Sequence, residues 1–260
     1  MNVLEELDKF YKEFKGEKGY IGSTVNGKLI PYFAVVKTRF PTLIVQYAIH
    51  AREYITTYLA LKQINQYLKN GKVGTVYFIP AVNIDGIKIS LNENKLYKAN
   101  ANGVDLNVNF DARWGQGKQN LNYKNSENYI GTSPFSEPES KSLRDFTLLI
   151  KPNMTVSYHC KGEEIYYEFN NKNHKSDYLL AQSVASVTGY TIKSTPDSCG
   201  GYKDWCIEKL GIPAITIEVG DDRLKHPIEQ GELKQIYRKN EWVICGLTQK
   251  LWEKNAEKIY

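Results

Sequence analysis

Apolar residues near the start of the chain recur at Val3, Leu4, Leu7, Phe10, Tyr11 and Phe14, with lysines and acids between them. This is the spacing of one helical face, so it predicts an amphipathic first helix over 3–14 whose role is packing. Two β-rich runs follow, 29–37 and 42–49, separated by Arg39-Phe40-Pro41. The second is almost wholly apolar, as a strand covered on both faces is. Residues 53–69 read as a helix, and 75–82, after the Asn70-Gly71 turn signal, as another apolar strand. Strand, helix, strand in that order favours a right-handed crossover in an α/β sheet.

Periodicity then fades. Residues 83–134 are rich in Asn, Gly and Lys and read as long ordered loops, the kind of segment that builds sites. Ser136-Glu137-Pro138-Glu139 has the spacing of a capping box, which predicts a helix running through Leu143, Phe146 and Leu149. Strands are expected at 154–159, 164–169 and 214–219, and helices at 177–187, 202–210 and 233–252. No internal repeat breaks up the pattern.

Composition narrows the class. With 260 residues, 42% hydrophobic and 24% charged, the chain can bury a substantial core, and one domain over 1–260 is expected. A net charge of +5 carried by scattered lysines argues against nucleic acid as the main partner. The four cysteines, at 160, 199, 206 and 245, form no C-x-x-C pair, which suits reduced thiols. Residues 1–8 carry acid and no continuous apolar run, so they resemble neither a secretory signal nor a membrane anchor. The expected location is the cytoplasm, away from membranes.

His50-Ala51-Arg52-Glu53 stands where a buried strand ends and a helix begins. In open α/β sheets ligands bind at that end of the strands. A catalytic zinc commonly takes three protein ligands, such as two histidines and a glutamate, and keeps a fourth position open. His50 and Glu53 could supply two; a solvated surface pair is the alternative. Of the four histidines, His174 lies in an Asn/Lys-rich loop, His226 precedes a proline, and His159 ends the apolar run 154–158. His159 is therefore the natural third ligand, or else a core histidine satisfied by a carbonyl. Cys160 is rejected as a ligand because successive strand residues point to opposite faces. Glu218 closes the apolar run 214–217, where a carboxylate is costly without a partner or a task.

Taken in order, these motifs resemble the zinc carboxypeptidases of the funnelin type over residues 50–220. His50-Ala51-Arg52-Glu53 looks like that family's H-x-R-E pair, and Asn83-Ile84-Asp85-Gly86 like its N-P-D-G loop. Gly103-Val104-Asp105-Leu106-Asn107-Val108-Asn109-Phe110 is similar to its G-V-D-L-N-R-N-F segment, and Thr216-Ile217-Glu218 to the strand bearing its catalytic glutamate. The resemblance implies a three-layer α/β/α sandwich around a mixed, mainly parallel twisted sheet. It implies one Zn2+ per chain held by His50, Glu53 and His159, with Glu218 as general base and then acid. Arg52 would stabilise the oxyanion, and Asp105 would fix the tautomer of His50. Val108 stands where the family carries an arginine for the substrate's terminal carboxylate.

A narrower branch fits better. Leu96-Tyr97-Lys98-Ala99-Asn100, Ser157-Tyr158-His159 and Gly162-Glu163-Glu164-Ile165-Tyr166 look like bacterial γ-D-glutamyl-L-diamino acid endopeptidases. That likeness implies a small peptide substrate, a peptidoglycan fragment, cut at the γ-D-glutamyl–meso-diaminopimelate amide. Asn107, Lys98, Lys203 and Tyr202 are the expected substrate contacts, the two lysines meeting carboxylates. The competing expectations are a metallocarboxypeptidase acting on ordinary L-peptides and, from another class, a binding domain that keeps the fold without chemistry.

Overall fold

The computed structural model describes residues 1–124, 126–170 and 175–256; His174 lies outside them. The first helix, α1 (Val3–Glu13), is capped by Asn2, whose Oδ1 accepts from the backbone of Leu4 and Glu5 while Glu5 accepts from the Asn2 N–H. An antiparallel hairpin follows, β1 (Glu17–Ser23) and β2 (Leu29–Val36). Then come β3 (Thr42–Tyr47), α2 (Ile55–Asn70), β4 (Thr75–Ile79) and α3 (Ile84–Asn92). After a long irregular stretch the chain forms α4 (Pro138–Ile150), β5 (Met154–Cys160), β6 (Glu164–Tyr166), α5 (Lys175–Thr188) and β7 (Thr191–Ile192). It ends with α6 (Tyr202–Trp205), β8 (Ala214–Val219), α7 (Leu233–Asn240) and α8 (Val243–Ala256).

All eight strands join one mixed sheet in the order β1-β2-β4-β3-β5-β8-β6-β7. The central strands β4, β3, β5 and β8 are parallel, and antiparallel pairs flank them. Alternate side chains enter two cores. Leu43, Val45, Tyr47, Val156 and Tyr158 pack under α1, α2, α5, α7 and α8, while Ile44, Ile79 and Ala214 pack with Leu143, Phe146, Tyr202 and Trp205 of α4 and α6. The expected three-layer sandwich is thus formed. No helix among the described residues is long and apolar enough to cross a membrane.

Several elements depart from the sequence reading. Residues expected to be loop form α3, because Asn83 caps it: its Oδ1 accepts from Gly86 N and its Nδ2 donates to the Ile49 and Ala99 carbonyls. The Ile84, Ile87, Leu91 spacing was the signal for it. The capping box at 136–139 does not form: Glu137 is the N-cap but its carboxylate accepts from Asn100, Asn102 and Ser136 instead of the helix backbone, and Glu139 turns inward to accept from Val25 N and Asn100 Nδ2. The helix expected at 202–210 changes to a π-helical turn at Cys206, and the last helix is two, α7 and α8. Edge strand β1, with its glycines and charges, had no alternating pattern to betray it.

Candidate active site

Because β3, β5 and β8 run parallel, their carboxyl ends share one edge of the sheet, and the polar residues gather there. His50 leads into the short turn Ala51–Glu53 before α2, so its side chain and that of Glu53 face the same way. His159 comes from β5, in register with Glu218 of β8. Strand alternation sends Tyr158 to the opposite face, where its ring stacks flat on Tyr47 at 4.9 Å, and Cys160 likewise into that other core.

The three expected ligands meet. His50 Nδ1 lies 2.9 Å from Glu53 Oε1, His159 Nδ1 3.0 Å from Glu53 Oε2, and the two Nδ1 atoms are 3.2 Å apart. Such separations are close to the edge, about 3.3 Å, spanned by ligand atoms at about 2.0 Å from one tetrahedral zinc. His50 Nε2 is 3.1 Å from Asp105 Oδ1. With the Nε2 proton given to that carboxylate, Nδ1 keeps its lone pair for the shared centre. Electrostatics point the same way. Burial opposes charge on His50, but Glu53 and Asp105 together outweigh it and raise its pKa to about 9. Burial likewise opposes charge on Glu53, and the two imidazoles outweigh it, holding its carboxyl well below the usual range. Burial lowers the pKa of His159 in the opposite sense, leaving a neutral imidazole beside the ionised Glu53, and a buried two-imidazole, one-carboxylate donor set suits zinc.

Glu218 stands beside this trio on the wall of a cleft of about 750 Å³ that His50, Lys98, Asp105, Asn107 and Val108 also line. Burial, then the charge of Glu53, pushes its carboxyl well above the ordinary range, and its Oε2 finds no partner among the described residues. A carboxyl so placed holds a proton more readily than an ordinary surface carboxylate does. Asp105 makes two kinds of contact: it caps the turn at Leu106–Val108 through Asn107 N, and it meets His50 Nε2 as expected. Its Oδ2 lies 2.7 Å from Lys98 Nζ, which also donates to Asn128 Oδ1. Nothing in the aperiodic 121–130 segment had marked Asn128.

Three expected contacts are not brought to the cleft. Arg52 is not among the residues lining it and donates to Glu127 Oε1 at 2.7 Å and to the Leu96 carbonyl at 3.3 Å, whereas Lys98 does line it. Tyr202 is fully buried against Phe110 and Trp205, its hydroxyl 2.8 Å from Thr147 Oγ1. Lys203 is buried too, donating to Asp204 Oδ1 and the Glu168 carbonyl, both at 2.6 Å. Asn107 does line the cleft, and its Oδ1 accepts from Tyr202 N.

Fold and site together have the form of an α/β metallopeptidase. The chain belongs to the zinc carboxypeptidase family, whose profile matches residues 4–241. It is 27% identical to the Gamma-D-glutamyl-L-diamino acid endopeptidase 1 of Lysinibacillus sphaericus, over 92% of this chain and 68% of that protein. It is 30% identical to the Carboxypeptidase B2 of Rattus norvegicus, over 66% of this chain and 50% of that one. Among solved structures it is similar to bovine thrombin-activatable fibrinolysis inhibitor, at a TM-score of 0.85 and 22% identity, with 98% of each chain covered. The murein-tripeptide amidase MpaA of Escherichia coli O157 matches at a TM-score of 0.63 and 20% identity, covering 92% of this chain and 93% of that one.

Proposed function

We propose that the chain hydrolyses the amide between the γ-carboxyl of D-glutamate and meso-diaminopimelate in peptidoglycan-derived peptides. The observation that carries the reading is the convergence of His50, Glu53 and His159 beside Glu218 at the carboxyl ends of adjoining strands. His50, Glu53 and His159 would hold one zinc, which when bound supplies a Lewis acid and a water of lowered pKa. Glu218 takes the proton of the attacking water and returns it to the leaving amine, a task its raised pKa suits. Lys98, held by Asp105 and Asn128, presents a fixed ammonium to the negative charge that develops on the carbonyl oxygen. Asn107 is the proposed polar contact to the bound peptide.

Substrate choice is supported by Val108, which puts an apolar side chain on the cleft wall, and by likeness to the Lysinibacillus endopeptidase over most of the chain. A carboxypeptidase acting on L-peptides is the second reading, favoured by likeness to carboxypeptidase B2. A binding domain without chemistry would have no use for a poised Glu218. Four unpaired cysteines suit a reducing compartment, and the cytoplasm is the proposed setting; recovery of the protein from the culture medium would count against it.

The test is mass spectrometry of products from an L-Ala-γ-D-Glu-meso-diaminopimelate peptide incubated with zinc-loaded protein. Free diaminopimelate is the expected product, and Glu218→Gln should lower kcat by at least about a hundredfold. Release of C-terminal residues from ordinary L-peptides, stopped by blocking their carboxyl group, would select the carboxypeptidase reading instead.

A further inference from the structure

One wall of the cleft is made from two segments that the sequence keeps far apart. Phe110 N donates to the Gly200 carbonyl at 2.9 Å, Gly200 N to the Ala112 carbonyl at 2.8 Å, and Lys118 N to the Asp197 carbonyl at 3.0 Å. Gly200 sits at φ +87°, and a Cβ there would fall 2.8 Å from the Val108 carbonyl oxygen, so the approach requires glycine. The backbone of this wall is therefore fixed, and the side chains it offers to the cleft include Val108, Lys118 and Asp197.

The basic groups nearest the proposed metal site are spoken for. Lys98 is bound to Asp105 and Asn128, and His50 to Glu53 and Asp105. Lys118 and Asp197 differ: Nζ and Oδ2 are 3.9 Å apart, at the limit of an ion pair, and the side chains are 79% and 70% exposed. A pair so loose and solvated contributes little to stability and opens at little cost. A lone carboxylate arriving there would be drawn to Lys118 and repelled by Asp197, and a lone ammonium would meet the reverse. A group bearing both charges on one carbon satisfies both residues.

We infer that Lys118 and Asp197 form a specificity site for the zwitterionic amino-acid end of the substrate, Lys118 taking its carboxylate and Asp197 its ammonium. The inference rests on the proposed amide hydrolysis and deepens it, since the distal end of diaminopimelate is such a group. Selection for it comes from two rim residues on a rigid wall, not from a buried cation.

Steady-state kinetics on two peptides test this: γ-D-glutamyl-meso-diaminopimelate, and its γ-D-glutamyl-L-lysine counterpart, which keeps the distal ammonium but lacks the distal carboxylate. Lys118→Met should raise KM about fivefold for the first peptide only, with kcat unchanged, and added salt should shrink the wild-type preference. Asp197→Asn should raise KM for both peptides by a similar factor. Thermal unfolding of both variants should match the wild type, as the side chains are exposed. An active wild type whose Lys118→Met variant treats the two peptides as before overturns the site while leaving the hydrolase reading intact. A zinc-loaded wild type that turns over neither peptide overturns both together.

Discussion

Asp105 shows how much one carboxylate can carry. It accepts from Asn107 N, from His50 Nε2 and from Lys98 Nζ, so turn geometry, imidazole tautomer and the cleft's ammonium all depend on it. Asp105→Asn keeps an acceptor for the turn and for His50 but removes the charge and turns an amide donor towards Lys98. Zinc affinity, measured by competition with a chelator, should fall about 10–100-fold; an unchanged affinity would dismiss the orienting role. At this scale the convergence of His50, Glu53, His159 and Glu218 was legible because motif residues at strand ends must face the crevice their strands define. Arg52, Tyr202 and Lys203 were not. Their directions are set by Glu127, Thr147, Asp204 and the Glu168 carbonyl, and for Arg52 and Tyr202 those partners lie 75 and 55 residues away in sequence, out of reach of any local pattern.

Two buried glutamines separate what a polar group contributes to an element from what it costs. Gln63 of α2 accepts from Tyr47 Oη at 2.6 Å and donates to Tyr158 Oη and the Asn240 carbonyl, tying α2 to β3, β5 and α7. Gln46 of β3 is equally buried, yet neither its Oε1 nor its Nε2 meets a partner among the described residues. Gln63→Leu strands several groups at about 1–3 kcal/mol each and should destabilise by roughly 3 kcal/mol. Gln46→Leu should be neutral or stabilising by about 1 kcal/mol, since it removes an unpaired amide from the interior. Urea denaturation with unchanged m values would show the contrast; equal losses would contradict it. Element type was readable wherever one periodicity held for several turns, as in α1, α2 and the central strands. It failed at α3, where Asn83 ties the helix start to the distant Ile49 and Ala99 carbonyls, while at α4 the helix was read correctly and only its capping box was not, because Glu139 prefers the distant Asn100.

For the molecule as a whole, an α/β sheet followed from the crossover rule, while the layering came from the family likeness and the strand order from neither. Non-consecutive neighbours such as β5 beside β3 are chosen by how helices cover both faces, and only family likeness announced a mixed sheet. The proposed zinc would clamp the turn before α2 to β5, so its binding is linked to global stability. Chelation should lower the thermal midpoint, and returned zinc should raise it in a concentration-dependent way, stabilising the fold by about 2.7 kcal/mol at a hundred times Kd. A midpoint indifferent to zinc would remove the clamp.

Strand β8 lies between β5 and β6 in the sheet although it is made after both. Until it docks, the small β6–β7 ribbon has no hydrogen-bonded link to the rest of the sheet, and the strand that makes this join also brings Glu218. The residues proposed to hold the zinc precede β8 in the chain, whereas the proposed proton carrier comes with it. One strand therefore both closes the sheet between β5 and β6 and carries Glu218 to the cleft.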